Sequence, residues 1–350
     1  MKIAILSPIS WRTPPRKYGP WEQVASNIAE GLIENAVPAL PTGQAGGRQG
    51  IDVTLFATGD SITKGKLEYI CERPYSEDAG LDPKVWECLH ISHLMEQADK
   101  FDLIHNNFDF LPLTYSGLIK KPMVTTIHGF SSQKILEVYK KYNSTNFYVS
   151  ISNSDRSNEL DYIATVYNGI NTNEFTFCPV PKDYLLFFGR IHPEKGTSES
   201  IQIAKQSGRK LIISGFIQHQ EYFDRMIKPF INDDDIVYVG NSGPKERDKL
   251  LGEAYALLHP ISFEEPFGLS VVESMLCGTP VIAFNKGSMP ELILDGKTGF
   301  LVDTIDEAVE AVNNIKSIDR KYCREFAASK FSRQKMIEGY LDVYKKILNA

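Results

Sequence analysis

Two glutamates stand eight positions apart in EEPFGLSVVESMLCGTPVI (264–282), Glu265 and Glu273, with a Pro-Phe-Gly turn between them. Carboxylates so placed can do two kinds of work: act as acid and base on one bond, or accept hydrogen bonds from a polyhydroxylated ligand. A hydrolytic pair flanks one bond at roughly 5–9.5 Å. Here a strand candidate, AYALLHP (254–260), precedes the pair, and the pattern predicts a helix from about Gly268 with Leu269, Val272 and Met275 or Leu276 as its apolar stripe. Glu265 then lies just before the helix and Glu273 more than one turn inside it. That stagger along the axis suits separate parts of an extended ligand better than one scissile bond. The backbone N–H groups of Phe267, Gly268 and Leu269 would project from the helix N-terminus, where positive partial charge favours a phosphate or an electron-rich hydroxyl. Taken alone, both glutamates also read as solvated carboxylates at a helix end.

A second cluster is LLFFGRIHPEKGTSESI (185–201), a buried-strand pattern ending at Gly189, then Arg190 and Lys195 around a Pro-containing loop. Two permanent cations at the C-terminal end of a parallel strand sit at the usual ligand edge. They could neutralise a diphosphate, Arg as a fork and Lys as a point charge, or form a solvated pair. In the first half of the chain, Gly19 joins the first strand to a helix, and PMVTTIHG (122–129) delivers His128 to a strand end. No G-x-G-x-x-G follows a strand, so a nicotinamide fingerprint is absent. His90 and His93 are spaced for a metal pair but lack a third ligand.

The elements that must position these residues alternate throughout. Short Val/Ile/Leu/Phe-rich runs begin at KIAILS (2–7), DVTLFAT (52–58) and FDLIH (101–105), and restart at YLLFFG (184–189), KLIISG (210–215) and IVYVG (236–240). Between them lie helical patterns such as WEQVASNIAEGLIE (21–34) and PKVWECLHISHLMEQA (83–98). Strands apolar on both faces, each followed by a helix, predict an α/β protein of two Rossmann-like, doubly wound parallel sheets. The restart follows the turn-rich VYNGINTNEFTFCPVPKD (166–183), which reads as the interdomain linker. The final stretch, FSRQKMIEGYLDVYKKIL (331–348), predicts a helix with one strong apolar face.

Composition narrows the class. At 350 residues the chain is long for a single core, and two domains are expected. The net charge of −6 has no polybasic concentration, which argues against a nucleic-acid partner. Five scattered cysteines without metal or redox spacing point to a reducing, cytoplasmic setting. The start MKIAILSPIS is too strand-like for a secretory signal, and no apolar run reaches membrane-span length. At most peripheral membrane contact is expected. The Pro/Gly/Ala-rich segment 36–49 is too long for an ordinary helix-to-strand connection and reads as an insertion, a surface loop or a lid.

With these residues in place, the chain resembles a retaining glycosyltransferase of family 4 with the GT-B architecture. The resemblance rests on EPFGLSVVE (265–273), GRIHPEKG (189–196), VYNGI (166–170), TIHG (126–129) and GSMPELILDGKTGFLV (287–302), in the family's order and across nearly the whole chain. It implies two Rossmann-like domains facing across a cleft. Residues 1–168 with 332–350 form the acceptor side, and 169–331 bind a nucleotide-diphospho-sugar donor. It further implies that Arg190 and Lys195 hold the diphosphate, and that Glu273 accepts from the donor ribose. Glu265 contacts the transferred sugar, helped by the N–H groups of Phe267, Gly268 and Leu269. Gly19 approaches the diphosphate, and His128 meets the sugar near its reacting face. The implied reaction moves a hexosyl group to an acceptor hydroxyl with no metal and no cofactor beyond the donor, the departing diphosphate taking the acceptor proton. The acceptor is a glycan, lipid or small molecule. Two departures stand out: Pro20 replaces the second glycine that many members carry after Gly19, and FIQHQEYF (216–223) replaces a further glycine-rich turn. A phosphorylase or epimerase of the same architecture, or a non-catalytic nucleotide-sugar-binding partner, are the alternative readings.

Overall fold

The computed structural model describes residues 1–35, 50–130 and 132–349; the 36–49 insertion lies outside the described residues. The chain divides into two compact units. Unit 1 comprises Met1–Ile151, Arg156–Gly169 and Arg333–Ala350, and unit 2 comprises Ser152–Asp155 and Ile170–Ser332. The chain thus passes to unit 2 at Ile170, inside the turn-rich stretch. The short segment Ser152–Asp155, which the sequence pattern placed in the first domain, groups with the second.

Unit 1 holds a seven-stranded sheet: β1 (Lys2–Leu6), β2 (Asp52–Phe56), β3 (Lys66–Glu68), β4 (Leu103–Asn106), β5 (Met123–Ile127), β6 (Phe147–Ser150) and β7 (Tyr162–Thr165). The spatial order is β3-β2-β1-β4-β5-β6-β7, and every pair is parallel. β4 and β5 are buried along their whole length, as helices on both faces require. β3 was not legible in the sequence. It is three residues long with charged ends, a form suited to an open sheet edge and without an apolar run to reveal it.

Helix α1 (Pro20–Asn35) opens with Pro at its first position, where no backbone donor is needed. It buries Val24, Ala25, Ile28, Ala29 and Leu32, one stripe of a 3.6-residue period. Full burial of each large aliphatic side chain contributes about 1.5–3 kcal/mol. The final helix, Arg333–Leu348, buries Met336, Ile337, Tyr340, Val343, Tyr344 and Ile347 and belongs to unit 1. It meets α1 so closely that a Cβ on Gly31 would stand 2.5 Å from Ile337 Cγ1. Its Tyr344 and Tyr340 hydroxyls reach the sheet, lying 2.7 Å from His105 Nδ1 and 2.8 Å from Thr126 Oγ1.

Unit 2 holds six parallel strands: β8 (Tyr184–Phe188), β9 (Lys210–Ser214), β10 (Ile236–Tyr238), β11 (Ala256–His259), β12 (Val281–Phe284) and β13 (Gly299–Val302). The order is β10-β9-β8-β11-β12-β13. Each sheet reverses its winding direction once, between β1 and β4 in unit 1 and between β8 and β11 in unit 2. Connections leaving two such strands diverge to opposite faces and open a crevice at their C-terminal ends, the usual ligand position in this class of fold. Gly19 follows β1, Arg190 and Lys195 follow β8, and Glu265 follows β11. Four of the residues singled out for chemistry, Gly19, Arg190, Lys195 and Glu265, therefore follow strands at switch points.

Candidate functional site

In unit 2, β8 hands the chain to a short 3₁₀ turn, Pro193–Lys195, before the helix Thr197–Ser207. This turn aims Lys195 across the sheet edge, where its Nζ bonds Glu265 Oε2. The pair is nearly sealed from water, at 14% and 13% side-chain exposure. Lys195 Nζ also lies 4.6 Å from the centre of the Phe263 ring. Burial by itself would raise the Glu265 carboxyl, yet the charge of Lys195 and the contact with His259 outweigh it and hold the group down to about 2. His259 Nε2, at the end of β11, is 3.7 Å from the same carboxylate oxygen.

Arg190 is turned to other partners. One arm of its guanidinium bonds Glu194 and the other donates to Gln218 Oε1 at 2.6 Å. The switch-point edge thus carries two cations, Arg190 and Lys195, each matched by one carboxylate. An anionic ligand would displace Glu194 or Glu265 from a cation and inherit its bonds.

The Glu265 loop is held from below by the β12 connection. Gly287 N–H donates to Glu264 Oε2 at 2.5 Å, Ser288 N–H donates to the Glu265 carbonyl at 3.0 Å, and Ser288 Oγ donates to the Phe267 carbonyl at 2.5 Å. Phe267 is buried. Gly268, at φ +95°, then turns the chain into the helix Leu269–Leu276 and, being glycine, offers its first turn no capping side chain.

Glu273 lies on the second turn of that helix, 7% exposed, and faces Arg247 Nη1 at 3.1 Å. Burial pushes its carboxyl above the usual carboxylate range, opposed by the Arg247 charge. The structure therefore brings Lys195 to Glu265, and gives Glu273 a separate partner on the helix Pro244–Glu253. Arg247 went unnoticed in the sequence because PKERDKLLGE reads as an ordinary charged surface helix. Its guanidinium lies over the Phe175 ring at 5.2 Å, and its Nε has no hydrogen-bond partner among the described residues.

Asp155 also escaped notice. Its N–H donates to Ser152 Oγ, whose hydroxyl donates to the Pro266 carbonyl at 2.6 Å. Burial and then the Glu265 charge push its carboxyl up to about 7. Nothing near Asp155 in sequence signals this neighbour.

In unit 1, Gly19 has φ +151°, and a Cβ there would stand 2.8 Å from Pro15 Cβ, so the loop before α1 closes tightly only around glycine. The next turn places Trp21 against the His128 ring, centroids 5.7 Å apart and planes at 26°. His128 Nε2 lies 3.1 Å from Asn107 Oδ1, and burial lowers the imidazole to about 3. Glu22, also buried, accepts the Trp11 N–H at 3.0 Å. His90 and His93 do not converge: His90 Nε2 bonds the Ser7 carbonyl, whereas His93 faces Glu68 at 3.5 Å. Among the described residues no cluster of three or more His, Cys, Asp or Glu side chains could hold a metal ion, and no helix is long and apolar enough to cross a membrane.

Comparison with known proteins agrees with this layout. Residues 173–332 match the family described as glycosyl transferases group 1. A protein of the cps region of Klebsiella pneumoniae is 35% identical over 46% of this chain and 46% of its own length. The chain thus spans under half of that relative. A glycosyltransferase of Methanocaldococcus jannaschii, uncharacterised, is 27% identical over 72% of this chain and 77% of its own. The structure of Anabaena HepE in complex with UDP and glucose superposes with a TM-score of 0.73 at 19% identity, covering 99% of this chain and 100% of that one. The two parallel Rossmann-like sheets are those of the GT-B glycosyltransferases. Residues 173–332, a little under half of the chain, thus carry the pattern of the glycosyl transferases group 1 family.

Proposed function

We propose that the chain is a retaining hexosyltransferase that moves a sugar from a nucleotide-diphospho-sugar to an acceptor hydroxyl without a metal ion. The observation that carries the reading is the juxtaposition of Lys195 with Glu265, beside Arg190, at the switch point of unit 2. A transferred sugar presents hydroxyls next to a diphosphate, and this edge presents a low-pKa carboxylate next to two cations. Glu265 accepts from the sugar hydroxyls and Glu273 from the donor ribose, while Arg190 and Lys195 take the diphosphate. The N–H groups of Phe267, Gly268 and Leu269 assist at the helix start. On unit 1, Gly19 is assigned to the diphosphate, His128 to the sugar, and the unit as a whole to the acceptor.

As the bond from the anomeric carbon to the diphosphate oxygen breaks, negative charge grows on the leaving group. Fixed cations stabilise that charge without reorganisation. The acceptor oxygen bonds the anomeric carbon on the same face, and its proton passes to the departing phosphate oxygen. A neutral acceptor suffices, so no protein nucleophile is needed. HepE, of the same fold, has been solved with UDP and glucose, which supports a nucleotide-sugar donor here. The free state of all five cysteines supports a reducing, cytoplasmic setting.

A thermal-shift panel of nucleotide sugars tests the proposal. A true donor at a hundred times its dissociation constant adds about 2.7 kcal/mol of stability. Turnover with that donor should survive a chelator and give a product of unchanged anomeric configuration by NMR. No stabilisation by any nucleotide sugar or nucleoside diphosphate would refute it. Consumption of orthophosphate, or interconversion of the donor without an acceptor, would assign a phosphorylase or epimerase instead.

A further inference from the structure

The neighbouring ends of β4 and β5 in unit 1 carry a polar pair that no sequence motif announced. Asn107 follows β4 directly and is wholly buried, and His128 follows β5 and is 9% exposed. The two adjoining strands are in parallel register, Asn106 beside Thr125, so the residues after them emerge on the same edge. Asn107 Oδ1 is 3.1 Å from His128 Nε2. An amide oxygen only accepts, so Nε2 carries the proton and donates. A neutral imidazole has one N–H, which leaves Nδ1 as a bare acceptor. His128 Nδ1 and Asn107 Nδ2 both lack a hydrogen-bond partner among the described residues.

Buried polar atoms without partners are rare, because each forfeits its hydrogen bonds to water on burial. Here the two orphans are complementary in kind, one acceptor and one donor at one strand-end edge. The ring is held flat by Trp21 on its face. We infer that Asn107 is a positioning residue that fixes His128 as the Nε2–H tautomer, so that Nδ1 is presented as the acceptor for a hydroxyl proton of the bound sugar. The inference rests on the assignment of His128 to the sugar made above.

The surroundings keep the ring neutral. Burial lowers it, and the titratable side chain coupled to it, His105, is itself buried and neutral, bonded to Tyr344 and Thr126. Helix α1 brings Glu22 one residue beyond Trp21, but that carboxyl is turned to the Trp11 N–H. The tautomer is therefore chosen by Asn107 and not by a neighbouring charge.

The experiment uses the full chain with ¹⁵N-labelled histidine, His128 being assigned through the His128→Gln variant. The wild type should show the Nε2–H tautomer with no titration between about pH 5.5 and 9. Asn107→Asp keeps the acceptor and adds charge, so His128 should titrate at least one unit higher and the pH–rate profile should gain that ionisation. Asn107→Leu should give mixed tautomers and lower kcat by roughly tenfold or more, with the donor KM little changed. Circular dichroism confirms that each variant is folded; Asn107→Ser, which keeps a small acceptor, should recover part of the rate. An Nδ1–H tautomer in the wild type would overturn the inference. So would an unchanged tautomer in Asn107→Leu. A changed tautomer with wild-type turnover would remove the functional role from both residues, while donor stabilisation in the thermal panel would leave the transferase reading standing.

Discussion

The ammonium of Lys195 is bonded to the carboxylate of Glu265, and neither group is more than about one-seventh exposed. The two residues come from different connections, one after β8 and one after β11, and meet because those strands are neighbours in the sheet. Removing Lys195 leaves Glu265 with burial and only His259 to offset it. Lys195→Ala should cut turnover by about 10²–10³-fold through loss of leaving-group stabilisation. It should also reverse a pH dependence. In the wild type the depressed Glu265 pKa adds stability above about pH 4.5 that is lost as pH falls toward 2. In the variant, burial raises the group, so relative stability falls as pH rises from about 4.5 toward neutrality. Denaturation midpoints across that range read the change; wild-type turnover in the variant would refute the leaving-group role.

Arg247 and Glu273 form a second buried ion pair, 3.1 Å apart and 15% and 7% exposed. Breaking such a pair on one side costs about 3–5 kcal/mol, because the remaining charge stays buried. Arg247→Met should be destabilised by an amount of that order, and adding Glu273→Gln should recover much of it. A double-mutant cycle in urea measures the coupling. Additive losses would mean that the two groups do not support each other.

Gly287 supports the Glu265 loop by closeness. At φ +56°, a Cβ there would stand 2.3 Å from Glu265 N and 2.5 Å from its carbonyl oxygen, both backbone atoms that cannot swing aside. Gly296 has φ +69° but open space around it. Gly296→Ala should therefore cost only the conformational penalty of about 1–2 kcal/mol. Gly287→Ala should cost more and should lower kcat beyond its effect on stability, because Glu265 must move. Melting temperatures and kcat for the two variants, measured together, test this.

Acid should unfold unit 1 through its histidines. Burial lowers His90 to about 4 and His105 and His128 to about 3, so all three are neutral in the fold near pH 5 and protonated when unfolded. Their contribution is complete above about pH 6.5 and is lost as pH falls toward 3–4. Glu22 acts oppositely: raised by burial to about 7, it is protonated in the fold and ionised when unfolded between about pH 4.5 and 7. Three protons taken up and one released leave a net of roughly two, a slope on the order of 3 kcal/mol per pH unit near pH 5. Urea titrations at pH 5 and 6 measure it, and a slope near zero would contradict the burial of these groups.

Much of this protein is written locally. The apolar runs such as KIAILS, FDLIH, YLLFFG and KLIISG became strands because a strand buried on both faces must be apolar throughout, and that pattern survives in one dimension. Helices α1 and Arg333–Leu348 were equally legible from their buried stripes, as was the turn-rich stretch where the chain changes units. The placement of Gly19, Arg190, Lys195, His128 and Glu265 at strand ends followed from the same pattern. Partner choice did not. That Lys195 reaches Glu265, that Glu273 takes Arg247, that Asp155 lies under the influence of Glu265, and that Asn107 holds the His128 ring all join residues from separate connections. Such pairings depend on which strands are neighbours and on how each loop closes, and those follow from burying the whole sheet at once. The sequence by itself therefore determined the elements and the chemical kinds available at their ends; the tertiary structure decided which groups meet, because hydrogen bonds and ion pairs act over a few ångströms that only packing can bring about.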